Sequence, residues 1–143
     1  MDQMTIRPSL PSDADTVFLH LGKFATSYKP VRSDVDTNYP IVLGSDGSDL
    51  LVVEQGVGRV VGYILASDLP TLFANGVVTE FLELYMDEQE RGKGMGRALV
   101  KWAVARAEER GVVEVTVSTR RARSFYLNLG FELTAEYFKL KFD

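Results

Sequence analysis

The run Arg91-Gly92-Lys93-Gly94-Met95-Gly96-Arg97 gathers three cations and three glycines into seven residues. Before it, Thr79-Glu80-Phe81-Leu82-Glu83-Leu84-Tyr85-Met86 is rich in apolar and aromatic residues and reads as a buried strand. After it, Met95, Ala98, Leu99, Trp102, Ala103 and Ala107 recur at helical spacing, with Arg97, Lys101 and Glu108 on the other face. A strand, a glycine-rich turn and a helix in that order form an anion cradle. Glycine lets the backbone approach a ligand closely, the first helical N–H groups have no internal partner, and the helix dipole favours phosphate there. The chemistry implied is phosphate binding. A nucleotide P-loop is excluded because Met95 follows Gly94 where Lys and then a metal-binding hydroxyl would be required. The dinucleotide fingerprint fails in both registers, its third glycine falling on Arg97 or Leu99.

A third phosphate-binding pattern, Arg/Gln-x-x-Gly-x-Gly/Ala, is matched by Arg91, Gly94 and Gly96. Downstream, Ala122-Arg123-Ser124-Phe125-Tyr126-Leu127-Asn128-Leu129-Gly130-Phe131 is similar to Ala-x-x-Phe/Leu-Tyr-x-x-x-Gly-Phe. Gly130 there would stop a helix in a left-handed cap, with Phe131 returning to the previous turn. The opening Thr5-Ile6-Arg7-Pro8, followed by Ser12-Asp13-Ala14-Asp15, reads as a strand and a capped helix. On these segments the chain resembles the GNAT superfamily of N-acetyltransferases over nearly its whole length. The resemblance implies an α/β (α+β) fold: a mixed, mostly antiparallel sheet of six or seven strands, splayed at a central parallel pair and flanked by four helices. It also implies an acetyl-CoA-dependent N-acetyltransferase that passes acetyl directly to a primary amine in a ternary complex. The alternative is a non-catalytic acyl-CoA-binding or sensing module on the same fold.

Acetyl transfer from a thioester to an amine requires a neutral amine, a donor for the developing oxyanion and a proton for the leaving thiolate. By resemblance, Arg91, Gly92, Lys93, Gly94, Met95, Gly96 and Arg97 hold the pyrophosphate. Leu84, Tyr85 and Met86 pair with pantetheine as an added strand, and a backbone N–H near Met86 serves the oxyanion. Tyr126 stands where the family has a tyrosine beside the CoA sulfur, as general acid or as a packed aromatic. Glu83 and Glu80 are the candidate bases. In an unbroken strand they point to opposite faces, and a bulge would change that parity. Thr119 occupies the place of a family asparagine that contacts the CoA chain, and its hydroxyl replaces part of that bonding. Arg120, Arg121 and Arg123 read as a solvated helix face, with contact to the CoA 3′-phosphate as the alternative.

The elements that must position these groups follow from pattern. A strand is expected at 4–8 and a helix at about 13–26, capped by Ser12 or Asp13. A loop over 27–48 carries a short helix near 33–44, and strands at 50–54 and 59–66 form a hairpin through Gly56-Val57-Gly58. After a loop at 69–76 come the strand to Met86, a helix to about Arg110, a strand at 112–118, a helix at 121–129 and a terminal strand near 136–142. The acceptor pocket falls to residues 20–45 and 69–78.

With 143 residues, 45% of them hydrophobic and 25% charged, the chain reads as one domain spanning 1–143. The net charge of −4 argues against nucleic acid as partner and leans towards a cationic acceptor, a small molecule or a protein amine. Cysteine is absent and His20 is the only histidine, so thiol nucleophiles, zinc sites and a Ser-His-Asp triad are not expected, and no metal is called for. His20, inside the first helix, reads as packed or surface-lying rather than catalytic. No apolar run reaches the roughly 20 residues of a membrane span, and Met1-Asp2-Gln3-Met4 does not resemble a secretory signal. A cytoplasmic location without membrane contact is the expectation. A homodimer remains open.

Overall fold

The aliphatic runs pair into one sheet, and the helices cover both of its faces. The computed structural model describes residues 3–142. Its five strands, β1 (Met4–Pro8), β2 (Ser48–Gln55), β3 (Val60–Pro70), β4 (Val77–Met86) and β5 (Glu114–Val117), are ordered β1-β2-β3-β4-β5. The first four are antiparallel to their neighbours, and β4 and β5 are parallel. A parallel pair needs a crossover, supplied by α3 (Met95–Glu109). The other helices are α1 (Ala14–Phe24), α2 (Arg32–Gly44) and α4 (Arg123–Asn128). No helix among the described residues is long and apolar enough to cross a membrane.

The expected strand near 136–142 does not form, which leaves five strands where six or seven were expected. Alternation of apolar and polar residues defines the two faces of a strand but not the partner it pairs with. The segment is correctly patterned and pairs with no strand among the described residues.

On one face, Leu51, Val53, Val61, Ile64, Phe81 and Met86 pack beneath Leu99, Val100 and Ala103 of α3 and Tyr126 of α4. On the other, Val52, Tyr63 and Tyr85 pack against Val17 of α1 and Tyr39 of α2. Charged clasps fix the helices to the strand ends. Asp13 precedes α1, but its carboxylate turns back to accept the Leu10 N–H at 2.7 Å and both Arg7 guanidinium nitrogens at 2.8 and 3.0 Å. Burial opposes its ionisation, and Arg7 with the Leu10 N–H overcomes that and holds the carboxyl below the usual aspartate range. At the end of α3, Arg106 takes Asp49 at 2.8 and 3.0 Å, and Arg110 takes Asp68 at 2.6 and 2.9 Å. Asp68 also accepts the hydroxyl of fully buried Thr79 at 2.7 Å.

The parallel pairing stops early. It runs from Val78–Glu114 to Phe81–Val117 and goes no further. At that point β4 bulges: Leu65 faces Glu83 and Ala66 faces Phe81, so Leu82 is the extra residue. Beyond it, β4 continues to Met86 with β3 alone at its side. Gly62 of β3 permits the close packing there, because a Cβ on it would collide with the Met86 sulfur and lie 2.6 Å from the Tyr85 carbonyl oxygen. Gly62→Ala should therefore destabilise the fold by about 1–3 kcal/mol, the usual cost of overpacking. Urea unfolding reads this as a lower midpoint at unchanged slope, and an unchanged midpoint would show that β4 has slack at its end.

Candidate functional site

At the β4–α3 junction two residues adopt left-handed conformations, Gly92 at φ 80° and Gly94 at φ 86°, the latter as N-cap of α3. A side chain at either position would be strained. The effect is to leave a row of donors free. Ala98 N–H closes the first helical bond to Gly94, and among the described residues no backbone N–H from Gly92 through Arg97 has an acceptor within the chain. The cationic side chains divide their work. Arg91 Nε donates to the Met86 carbonyl at 2.9 Å and its guanidinium lies 5.4 Å above the Tyr85 ring, so Arg91 fastens the end of β4. Lys93 pairs with Glu90 at 3.2 Å, and Glu90 also holds Arg59 at 2.9 Å. Arg97 has no ion pair among the described residues and lines the adjoining groove. A Cβ on Gly96 would stand in ordinary contact with Met86 Cγ at 3.5 Å and the Phe125 ring at 3.8 Å, so α3 starts close to both β4 and α4.

A groove of about 1940 Å³ opens between the diverging strands, with Leu84–Met86 and the cradle on one side and Val117–Tyr126 on the other. The orientation of the β4 backbone follows from one bond. Asp87 N–H donates to Val61 O at 2.8 Å, and bonded and non-bonded pairs alternate along an antiparallel ladder. The Tyr85–Tyr63 pair is therefore bonded to β3, whereas Leu84 and Met86 turn their N–H and C=O groups across the gap. Of the three β4 residues singled out in the sequence, two have a backbone N–H free to meet a ligand. The third, Tyr85, contributes its ring to the opposite layer.

On the far wall, Tyr126 is 6% exposed and held edge-on by Phe125 at 5.0 Å and Phe131 at 5.4 Å. Burial pushes its phenol up to about 12, so it is protonated throughout the neutral range. The cap expected after it is present: Gly130 has φ 92° and Phe131 N–H returns to Tyr126 O at 3.1 Å. Thr119 Oγ1 accepts the Ala122 N–H at 3.0 Å, which organises the start of α4 and leaves the hydroxyl proton available. Arg120, Arg121 and Arg123 are exposed along the rim.

On the α1/α2 side, the bulge at Leu82 decides where the two glutamates point. Phe81, Leu84 and Met86 all pack with the α3 layer, so Glu80 and Glu83 share the other face in spite of their odd spacing. Glu83 lines the groove. Glu80 sits lower, in the stretch still paired on both sides, to Ser67 and Thr116. Burial raises the Glu83 carboxyl above its usual value, while the Tyr63 hydroxyl, donating to Oε1 at 2.8 Å, opposes the rise. Tyr63 is 1% exposed and was not anticipated from the sequence. Its signal lies in the hairpin register, which makes it the diagonal cross-strand neighbour of Glu83. His20 is buried, stacked on Tyr63 at 6.3 Å and tilted against Tyr85 at 5.1 Å, with Nε2 3.3 Å from Asp87 Oδ1. Burial pushes its imidazole below the usual value against the pull of Asp87.

Residues 46–133 match the family described as acetyltransferase (GNAT) domain. N-acetyltransferase 8B of Mus musculus is 28% identical over 113 residues, covering 76% of this chain and 47% of the relative. The chain thus spans about half the length of the curated relatives it matches. A structure described as a transcriptional regulator from Bacillus halodurans C-125 superposes with a TM-score of 0.89 at 25% identity, over 98% of this chain and 100% of that one. An aminoglycoside N-acetyltransferase in complex with CoA gives 0.86 at 14% identity, over 99% and 95%, a likeness of fold alone. A strand pair that parts over a glycine cradle, and a matching family over most of the sheet, converge on one assignment: the chain belongs to the GNAT acetyltransferase family.

Proposed function

We propose that this domain is an N-acetyltransferase that uses acetyl-CoA as donor and a primary amine as acceptor, with direct transfer in a ternary complex. The observation that carries the reading is the continuity of free backbone donors. They run from Leu84 and Met86 along the open edge of β4 into the unpaired N–H groups of Gly92–Arg97. A pantetheine chain with amide groups completes the first set, and a pyrophosphate completes the second.

In this reading the amine nitrogen attacks the thioester carbonyl, whose oxygen gathers charge and accepts the Met86 N–H. The C–S bond breaks as the C–N bond becomes an amide. Glu83 removes the excess proton of the amine, directly or through one water, and its burial suits it to the task, since a raised carboxyl is a stronger base. Tyr126, kept protonated by burial, hydrogen-bonds the departing thiolate and supplies its proton. Tyr63 fixes the Glu83 rotamer. Glu80, on the same face, adds negative charge that attracts a cationic acceptor. Arg97, with the rim arginines, offsets the phosphate charge of the donor. Thr119 adds a hydroxyl donor to the CoA chain.

Gly94→Asp or Gly96→Asp should weaken acetyl-CoA binding at least tenfold, about 1.4 kcal/mol by titration calorimetry. Unchanged affinity in a folded variant would remove the cradle from the site. Tyr126→Phe should leave that affinity nearly intact and lower turnover towards the low end of the roughly 10²–10⁴-fold that acid catalysis contributes. Wild-type turnover would reduce Tyr126 to packing. The acceptor side is tested by pH–rate profiles with one accepted amine. Glu83→Gln should lose more activity at neutral pH than at about pH 9, where an amine of pKa about 9–10 is partly free already. In Tyr63→Phe the bond that lowers the Glu83 pKa is gone, so the acid limb of the profile should move to higher pH. A limb that stays in place would take the proton transfer away from Glu83. Acetyl-CoA binding without turnover on any of a broad amine panel would favour the binding-module alternative.

A further inference from the structure

His20 lies on the inner face of α1, 4% exposed, and is the only histidine of the chain. Among the described residues, its Nδ1 is the one buried side-chain nitrogen or oxygen that finds no hydrogen-bond partner within the chain. Such an atom costs free energy, and a Phe or Leu would fill the space against Tyr63 and Tyr85 without it. What the imidazole gains lies at its other nitrogen. Nε2 is 3.3 Å from Asp87 Oδ1. Asp87 directly follows Met86, and its own N–H, donating to Val61 O at 2.8 Å, extends the pairing of β4 with β3 by one rung. The His20 ring lies parallel to Tyr63, at 6° between planes, and tilted by 37° against Tyr85. Tyr63 carries the bond to Glu83, and Tyr85 lies under the guanidinium of Arg91. One side chain of α1 therefore touches the residues that support both the carboxyl and the free end of β4.

We infer that His20 is a positioning residue of the acetyl-transfer site: its Nε2–H holds the Asp87 carboxylate and its ring backs Tyr63, so that the Met86 N–H and the Glu83 carboxyl keep a fixed relation across the groove. The role rests on the acetyl-transfer reading above and is indirect, since Asp87, Tyr63 and Glu83 line the groove and His20 reaches it through them. Charge agrees with the assignment. The ring is faced by Asp87 from the end of β4, by Tyr63 of β3 with Glu83 bonded to it, by Tyr85 beneath Arg91, and by Lys23 of its own helix. Burial, helped by Lys23, outweighs Asp87 and keeps the imidazole neutral in the neutral range. A neutral ring has one N–H to place, and the carboxylate selects Nε2 for it. Residues 25–31, which follow α1, line the same groove, so the contact also ties its acceptor side to the strand that meets the donor.

A single histidine makes the contact readable by NMR. In untagged protein with isotope-labelled histidine, the imidazole should show the Nε2–H tautomer at neutral pH, and the Nδ1–H tautomer would overturn the inference. His20→Phe keeps a ring against Tyr63 and removes the donor. Its melting temperature should stay close to that of the wild type or rise, because the unpartnered Nδ1 is lost with the donor. The Asp87 amide should nevertheless exchange faster, and kcat with one accepted amine should fall about 10- to 100-fold at a nearly unchanged KM for acetyl-CoA. Asp87→Ala should lower kcat in the same way, and the double variant should be no slower than the slower single one, because the two residues act as a unit. An Asp87 amide unchanged in His20→Phe, or losses in kcat that add in the double variant, would reduce His20 to packing and overturn the inference. If His20→Phe does not fold, the wild-type tautomer and Asp87→Ala decide the matter, and wild-type turnover in Asp87→Ala overturns it. A wild type that turns over no amine overturns the acetyl-transfer reading and the positioning role with it, while faster exchange at Asp87 would still show the contact.

Discussion

Everything in the site depends on the β4–β5 ladder ending at Phe81–Val117. A parallel pair that continued to Met86 would satisfy the backbone of Leu84 and Met86 internally and leave nothing for a ligand to complete. Because it stops, those groups face a gap, and buried backbone polar groups left unpaired are costly. The protein tolerates the opening by fastening the free end of β4 from its other sides. Gly62 allows Met86 to pack tightly against β3, Arg91 binds the Met86 carbonyl, and Asp87 continues the ladder to Val61. The result is a rigid half-paired strand, which positions a ligand better than a loop could.

The same break organises the chemistry. The bulge at Leu82 lies where the pairing ends, and it turns Glu80 and Glu83 to one face while Leu84 and Met86 keep their side chains in the α3 core. Backbone donors, a raised carboxyl and a protonated phenol therefore converge on one groove from three elements. One physical effect serves both of the proposed roles. Burial raises both Glu83 and Tyr126, which makes the carboxyl a better base and keeps the phenol a donor.

The cradle was legible in the sequence because its determinants are local: glycines at fixed offsets before an amphipathic helix specify the turn whatever surrounds them. The same holds for the Gly130 cap and for the strand at Met4–Pro8. The face shared by the glutamates was not legible, since a bulge arises from how β4 meets β3, and Leu82 gives no sign of it on its own. Tyr63 was hidden for the same reason, as only the hairpin register brings it to Glu83. Arg91 and Lys93 look alike in the sequence as phosphate ligands, yet the turn folds them back onto Met86 and Glu90, five and three residues upstream, leaving Arg97 as the free cation of the three among the described residues. At the C-terminus the pattern of 136–142 is that of a strand, but pairing is a property of two segments, and alternation in one does not specify the other.

The central claim is that the open edge of β4 and the cradle are a single ligand-binding track. Amide-resolved hydrogen exchange with and without CoA tests it most directly. The account predicts slowed exchange at Leu84, Met86 and the amides from Gly92 to Arg97, with Tyr85 unchanged because its N–H is already bonded to β3. Protection confined to the cradle, or appearing at Tyr85 instead of its two neighbours, would contradict it.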